Sequence, residues 1–312
     1  MSIYYLALNL SIYLIFFMSF STSRKPIVGI YGNPEPIDDY TSNSGTVVVG
    51  SYVRWLESMG AEVVAIHQWY TTEEIDYLLS KINGVLFQGG GRDFKYTAKW
   101  ETNGVHILNY AKQTGLPVWG TCMGFQFICD GLVGKEILTR YNHMTYLDKA
   151  AVTEEGKKCK TYAKFTEADF DTFQNKDSTI YFHTWGLSKE AFDKEEVLSS
   201  LFTITSYGND ADGNTFVNSI ESKTGNIFGS QFHPEKTPYI RTDYGLEHTV
   251  DSMRISHKVG LGFMAVVYQN TNTMSYVDRM KYDFINTFGK GPEDSYKKEN
   301  NSYYFIKKDS SK

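Results

Sequence analysis

Three short stretches of this chain hold residue types that could do covalent chemistry together. The first is Gly120-Thr121-Cys122-Met123-Gly124-Phe125. An apolar run from Pro117 to Trp119 leads into it, and a helix-compatible run from Phe125 to Cys129 follows. That order reads as a buried strand, a tight turn tipped by Cys122, and a helix start, the cysteine counterpart of a nucleophile elbow. A helix N-terminus behind the thiol would favour its thiolate. On the local pattern alone, Cys122 reads equally well as a nucleophile or as a small buried thiol. The second stretch, Gln231-Phe232-His233-Pro234-Glu235-Lys236, supplies a base and a partner for it. Pro234 enforces an extended or turn backbone at His233, and residues two apart in extended chain project to one side. Glu235 could therefore orient His233, and His233 could deprotonate Cys122, which is the logic of covalent acyl transfer. The third stretch is the glycine run Gly89-Gly90-Gly91.

The elements around these stretches alternate strand and helix. Apolar runs at Pro26–Ile30, Glu62–Ile66, Val85–Phe87 and Pro117–Trp119 read as strands buried on both faces. Between them lie three helical patterns. In the first, Val49, Tyr52, Val53, Leu56 and Met59 share one face, and Gly60 closes it. The second starts at Thr71 with a capping box to Glu74 and runs to about Lys81. The third spans about Thr97 to Thr114. This alternation predicts a parallel sheet with helices on both faces, whose ligands bind at the carboxyl ends of the strands. Gly89–Gly91 and Cys122 both fall on that rim. Phe202–Thr205, Phe216–Ile220 and Ile227–Phe232 are later strands, and the polar turn at Asn209–Asn214 predicts an antiparallel edge. A long helix is expected from Ser252 to about Tyr268.

Composition narrows the class. With 312 residues, 41% hydrophobic and 21% charged, the chain can bury a sizeable core. A net charge of −5 offers no basic face for nucleic acid. Three cysteines, Cys122, Cys129 and Cys159, are too few for a disulfide framework, although a Cys129–Cys159 bridge stays open. No metal-ligand spacing is present, so neither a metal nor another cofactor is expected. Residues 1–20 form an uncharged apolar run followed by Ser21-Thr22-Ser23. This predicts a secretory signal over residues 1–23, with an uncleaved membrane anchor as the alternative. The domain is expected over 24–288 and a polar, disordered or loosely docked tail over 289–312.

The Cys122 and His233-Pro234-Glu235 motifs resemble the class I glutamine amidotransferase-like superfamily. Within it, the chain is similar to the gamma-glutamyl hydrolases. Gly50–Ala61, Ile82–Gly90 and Phe182-His183-Thr184-Trp185-Gly186-Leu187-Ser188 carry the narrower likeness, which spans roughly Pro26 to Met264. The resemblance implies a flavodoxin-like three-layer α-β-α sandwich with a mainly parallel sheet and an antiparallel edge. It implies a homodimeric hydrolase, secreted or in the lysosomal or vacuolar lumen and free of the membrane once the signal is removed, that cleaves gamma-linked glutamates from folyl- and antifolyl-polyglutamates. By matching position, Cys122 is the nucleophile, His233 the general base and then acid, and Glu235 its orienting partner. The N–H groups of Gly90 and Met123 form the oxyanion hole. Tyr52, Gln126 and His183 fall on the substrate side, although Tyr52 reads equally as a packed helix residue. Two positions depart from the family. Gln126 stands where a glutamate is usual, as in many amidotransferases, and so weakens the expected grip on a glutamyl α-amino group. Gln88 replaces a usual proline, a change expected only to loosen the turn. A glutaminase, a gamma-glutamyl-amine hydrolase and an inactive folate-binding protein are the alternatives.

Overall fold

Apolar runs buried at every position build the sheet, because each strand sends successive side chains to opposite faces and both faces are covered. A computed structural model describes residues 25–35, 45–91, 94, 97–142, 146–239, 248–285 and 302–306. Its main strands are β1 (Ile27–Tyr31), β2 (Glu62–Ile66), β3 (Gly84–Phe87), β4 (Val118–Thr121), β5 (Ala151–Val152), β6 (Phe202–Asn209), β7 (Thr215–Ser222), β8 (Ile227–Ser230) and β9 (Phe284–Ile285). They form one sheet in the order β9-β2-β1-β3-β4-β8-β7-β6-β5. The run β2-β1-β3-β4-β8 is parallel, and antiparallel strands extend it on both sides. The expected antiparallel edge is thus present, made by the β6–β7 hairpin.

Six longer helices cover the sheet: α1 (Gly50–Ser58), α2 (Thr72–Leu79), α3 (Lys99–Thr114), α4 (Met123–Val133), α5 (Glu167–Asn175) and α6 (Val250–Val267). Val28, Ile30 and Trp119 point to one face and pack with Trp55 and Leu56 of α1, Phe173 of α5 and Phe263 of α6. Ile27, Tyr31 and Val118 point to the other and pack with Ile75 of α2, Ile107 of α3 and Phe127 of α4. The result is the sheet covered by helices on both faces that the strand–helix alternation predicts, in the flavodoxin-like α-β-α sandwich that the family resemblance implies. The capping box at Thr71 forms as expected, with Glu74 N–H donating to Thr71 Oγ1 at 3.2 Å and Thr71 N–H to Glu74 Oε2 at 2.8 Å.

Two local expectations change. The helix expected from Val47 begins at Gly50, because Gly45–Val49 is instead a strand paired with Asn33–Glu35 and Ser302–Ile306. The second of those pairings corrects the expectation of a disordered or loosely docked tail. Phe305 is buried and packs edge-on against His67, whose ring centroid lies 5.1 Å away, so an apolar anchor holds this part of a lysine-rich segment. The signal segment 1–23 and residues 289–301 lie outside the described residues. Among the described residues no helix is long and apolar enough to cross a membrane. Cys122, Cys129 and Cys159 are all free thiols.

One buried carboxylate ties two helices beneath the sheet. Asp169, in the first turn of α5, accepts from Thr166 N–H at 2.7 Å and from Arg254 Nε of α6 at 2.9 Å, and pairs with Lys258 of α6. Burial alone would raise its pKa, but the bonds from Lys258, Thr166 and Arg254 hold it well below the usual carboxylate range. A depressed folded-state pKa gives stability that is fully present above the unfolded value and lost as pH falls below it. Asp169→Ala is expected to destabilise the fold by about 2 kcal/mol at neutral pH. The gap between variant and wild type, followed by urea unfolding, should shrink as pH drops below ~4.

Candidate active site

Cys122 sits between the end of β4 and the start of α4 with φ 52° and ψ −110°; among the described residues no other non-glycine has positive φ. Such a backbone costs on the order of 1–3 kcal/mol and persists only where neighbours over-determine it. Here they do. Cys122 N–H donates to Ser230 O of β8 at 2.7 Å, and Cys122 O accepts from Gln126 N–H at 2.9 Å. A Cβ on Gly124 would lie 2.1 Å from Phe87 O of β3, and one on Gly120 would lie 2.7 Å from Gly124 O. Only glycine lets α4 press this closely on the sheet.

His233 follows β8, and its N–H donates to Ile180 O at 2.8 Å. Its Nδ1–H donates to Glu235 Oε1 at 2.7 Å, with both side chains buried. Burial pulls the imidazole pKa down, but the Glu235 carboxylate and the Cys122 thiol beside it more than offset this, and the net shift is upward. Burial likewise pushes Glu235 up, and His233 brings it below its ordinary value. The pair therefore favours a carboxylate against a readily protonated imidazole. Nε2 of His233 makes no hydrogen bond to a described residue, so it is the nitrogen left to exchange a proton.

The two motifs converge over one glycine. A Cβ on Gly89 would lie 2.6 Å from Tyr52 Oη, 3.0 Å from His233 Cε1 and 3.5 Å from Cys122 Cβ. Gly89 N–H donates to Tyr52 Oη at 2.8 Å, and Gly89 O accepts from Asn33 Nδ2 at 3.0 Å. Gly90 is the next residue on the rim and lines the cavity. A Cβ on Gly90 would lie 3.1 Å from Met123 Sδ, so the two residues expected to supply the oxyanion donors touch through the Met123 side chain. Met123 opens α4, where the N–H has no acceptor within the helix.

These groups face a cavity of about 540 Å³, within the range of small-molecule sites. Cys122, Met123, Gly90, Gln126, His183, Tyr52 and His233 all line it, while Glu235 stands behind His233. Phe182, Trp185 and Lys236 also line it and were not singled out from sequence. Lys236 was visible as the residue after Glu235, but nothing local said which way it points. Among the described residues no cluster of His, Cys, Asp or Glu could hold a metal ion.

A match to the family described as glutamine amidotransferase class-I runs over residues 41–252, including Cys122, His233 and Glu235. The chain belongs to the class-I glutamine amidotransferase family. Within this family it is similar to gamma-glutamyl hydrolase B of Dictyostelium discoideum, at 29% identity over 70% of this chain and 64% of that protein. It is also similar to the gamma-glutamyl hydrolase of Rattus norvegicus, at 26% identity over 84% of this chain and 85% of that protein. The glutaminase domain of Trypanosoma brucei CTPS, solved with bound acivicin, shares the fold at a TM-score of 0.53 and 13% identity, over 81% of this chain and 98% of that one.

On this amidotransferase frame, three of the residues weighed from sequence make bonds that no local pattern announced. Tyr52 touches the cavity, but its hydroxyl accepts from Gly89 and stands 3.5 Å from His233 Nδ1. Burial, then the charges of Glu235 and Cys122, push its pKa well up, so it stays a phenol that braces the glycine loop. Gln88 does not loosen its turn. Its Oε1 accepts from Val49 N–H at 2.9 Å and its Nε2 donates to Val47 O at 2.7 Å, clasping the strand that leads into α1 and Tyr52. Gln126 donates from Nε2 to Trp185 O at 2.6 Å and to Gln231 Oε1 at 3.2 Å. Trp185 O also lies 3.0 Å from His183 Nδ1, so one carbonyl ties Gln126 and His183 to the same wall.

Position 126 therefore has to supply a donor. Gln126→Glu puts a carboxylate against two oxygen acceptors, and the new side chain should be neutral in the fold, with a raised pKa. A raised acid pKa gives a penalty that grows as pH rises through the ordinary carboxylate range. Thermal or urea unfolding should show a loss of about 2 kcal/mol at pH 7 that largely disappears below pH ~4.

Proposed function

We propose that the protein is a cysteine-dependent hydrolase that cleaves gamma-glutamyl bonds of folylpolyglutamates. The observation that carries this reading is the meeting of Cys122, His233 and the glycine loop over Gly89, in a chain whose similar proteins are named gamma-glutamyl hydrolases. Cys122 Sγ attacks the γ-carbonyl carbon as His233 Nε2 takes the thiol proton. The oxyanion accepts hydrogen bonds from Gly90 and Met123 N–H; loss of one such donor typically costs about 3 kcal/mol of barrier. His233 returns the proton to the departing amine and leaves a γ-glutamyl thioester on Cys122. It then deprotonates a water that cleaves the thioester and frees the thiol. Glu235 holds the imidazole tautomer throughout and balances its charge. The apolar run at residues 1–20 supports a leader, and with it a secreted, lysosomal or vacuolar setting for the mature domain.

Gln126 favours a second reading. A neutral amide at this position is common among amidotransferases, so free glutamine is the competing substrate, with ammonia as the product. Mass spectrometry of products from folate pentaglutamate, run beside an ammonia assay on glutamine, separates the two. Shortened folates without ammonia release are expected, and their size reveals whether cuts are terminal or internal. Ammonia release with intact pentaglutamate would reverse the assignment. Cys122→Ala should lower turnover by about four orders of magnitude or more, while substrate binding, read by calorimetry, persists.

A further inference from the structure

Among the described residues the cavity wall carries a single permanent charge. Among its lining residues no aspartate or glutamate occurs, and the only lysine or arginine is Lys236. The nearest carboxylate in sequence, Glu235, is already committed to His233. Lys236 Nζ instead lies 5.5 Å from the ring centroid of Phe182, a side chain 46% exposed. A cation over an aromatic face is held in place without being neutralised. Its charge reaches the reacting groups, opposing protonation of His233 and favouring the Glu235 carboxylate. An unneutralised cation on an otherwise uncharged wall, beside a nucleophile, is a place for a substrate anion.

The bond to be cut says which anion. In a γ-linked chain the side-chain carboxyl forms the amide, so the attacked glutamyl residue keeps a free α-carboxylate a few bonds from the carbonyl. In an α-linked chain that carboxyl is consumed by the bond. We propose that Lys236, held over Phe182, is a carboxylate subsite for the α-carboxylate of the glutamyl residue whose γ-carbonyl Cys122 attacks. This rests on the γ-glutamyl hydrolase reading. It makes Lys236 the residue that distinguishes γ-linked from α-linked glutamate, because only the former presents its anion and its scissile carbonyl at once.

Two substrates test it: pteroyl-γ-glutamyl-glutamate, and the same compound with the α-carboxylate of its inner glutamyl residue converted to a primary amide. Wild type should prefer the free acid in kcat/KM. With each enzyme assayed at its own pH optimum, Lys236→Met should lower kcat/KM on the free acid roughly ten- to hundredfold more than on the amide, so that the preference disappears. An unchanged urea unfolding midpoint is the control for folding. Lys236→Arg should restore part of the preference. Equal losses on both substrates, or a wild type indifferent to the amide, overturn the Lys236 subsite and leave the hydrolase reading standing. A wild type that cleaves neither compound overturns the hydrolase reading, and the subsite with it.

Discussion

The site depends on one strained residue. Cys122 at φ 52° is worth its strain only if the backbone on either side is clamped, and the clamp comes from three neighbours at once. β8 accepts its N–H, α4 begins on its carbonyl, and β3 lies so close to Gly124 that no side chain fits between. That constraint explains why the site stands at this sheet edge. β3, β4 and β8 are adjacent and parallel, so their carboxyl ends deliver the glycine loop, the thiol and the His233 segment to the same rim. Move any one strand by a residue and its side chains change face.

Electrostatics then decides how the rim works. Burying an imidazole and a carboxylate together is expensive for each alone, and the balance is held because each supports the charged form of the other. The pair is placed by backbone rather than by surface contacts: His233 N–H is fixed to Ile180 O, and Ser256 Oγ of α6 donates to Pro234 O between the two side chains. Tyr52 closes the circuit from the other side, joining the glycine loop to His233 through one hydroxyl. A side chain read from sequence as substrate-facing or merely packed is thus also a strut between the glycine loop and His233.

Sequence made the local devices legible and the non-local ones not. A glycine-flanked cysteine between an apolar strand and a helix, a His-Pro-Glu turn and a capping box are each written within six or so residues, and each forms where it was expected. The partners of Gln126 and Gln88 were hidden for a common reason. Both were weighed by what the side chain lacks relative to a relative's residue, while their roles come from partners 59, 105, 39 and 41 positions away. The order at 302–306 was hidden in the same way. A lysine-rich tail reads as solvated until Phe305 meets His67 across a strand pairing that no local pattern encodes.

The same distinction bears on specificity. On the proposed function, acyl transfer uses Cys122, His233 and the N–H groups of Gly90 and Met123, and the strand ends set where these residues lie. What the cavity admits is set by a different layer: the segment from Phe182 to Trp185, held to α4 through Gln126, and Lys236 one turn past the base. On that reading the groups that cleave the bond are built into the sheet, while substrate recognition depends on side-chain bonds to one carbonyl and on a cation over one ring. Changes in the second layer can redirect the substrate without disturbing the first, because Trp185 and Phe182 lie partly exposed at the cavity mouth and Cys122 lies buried at its floor. On this architecture a shift between glutamine and longer γ-linked chains requires no change in the elbow, only in what the wall donates, accepts and carries as charge.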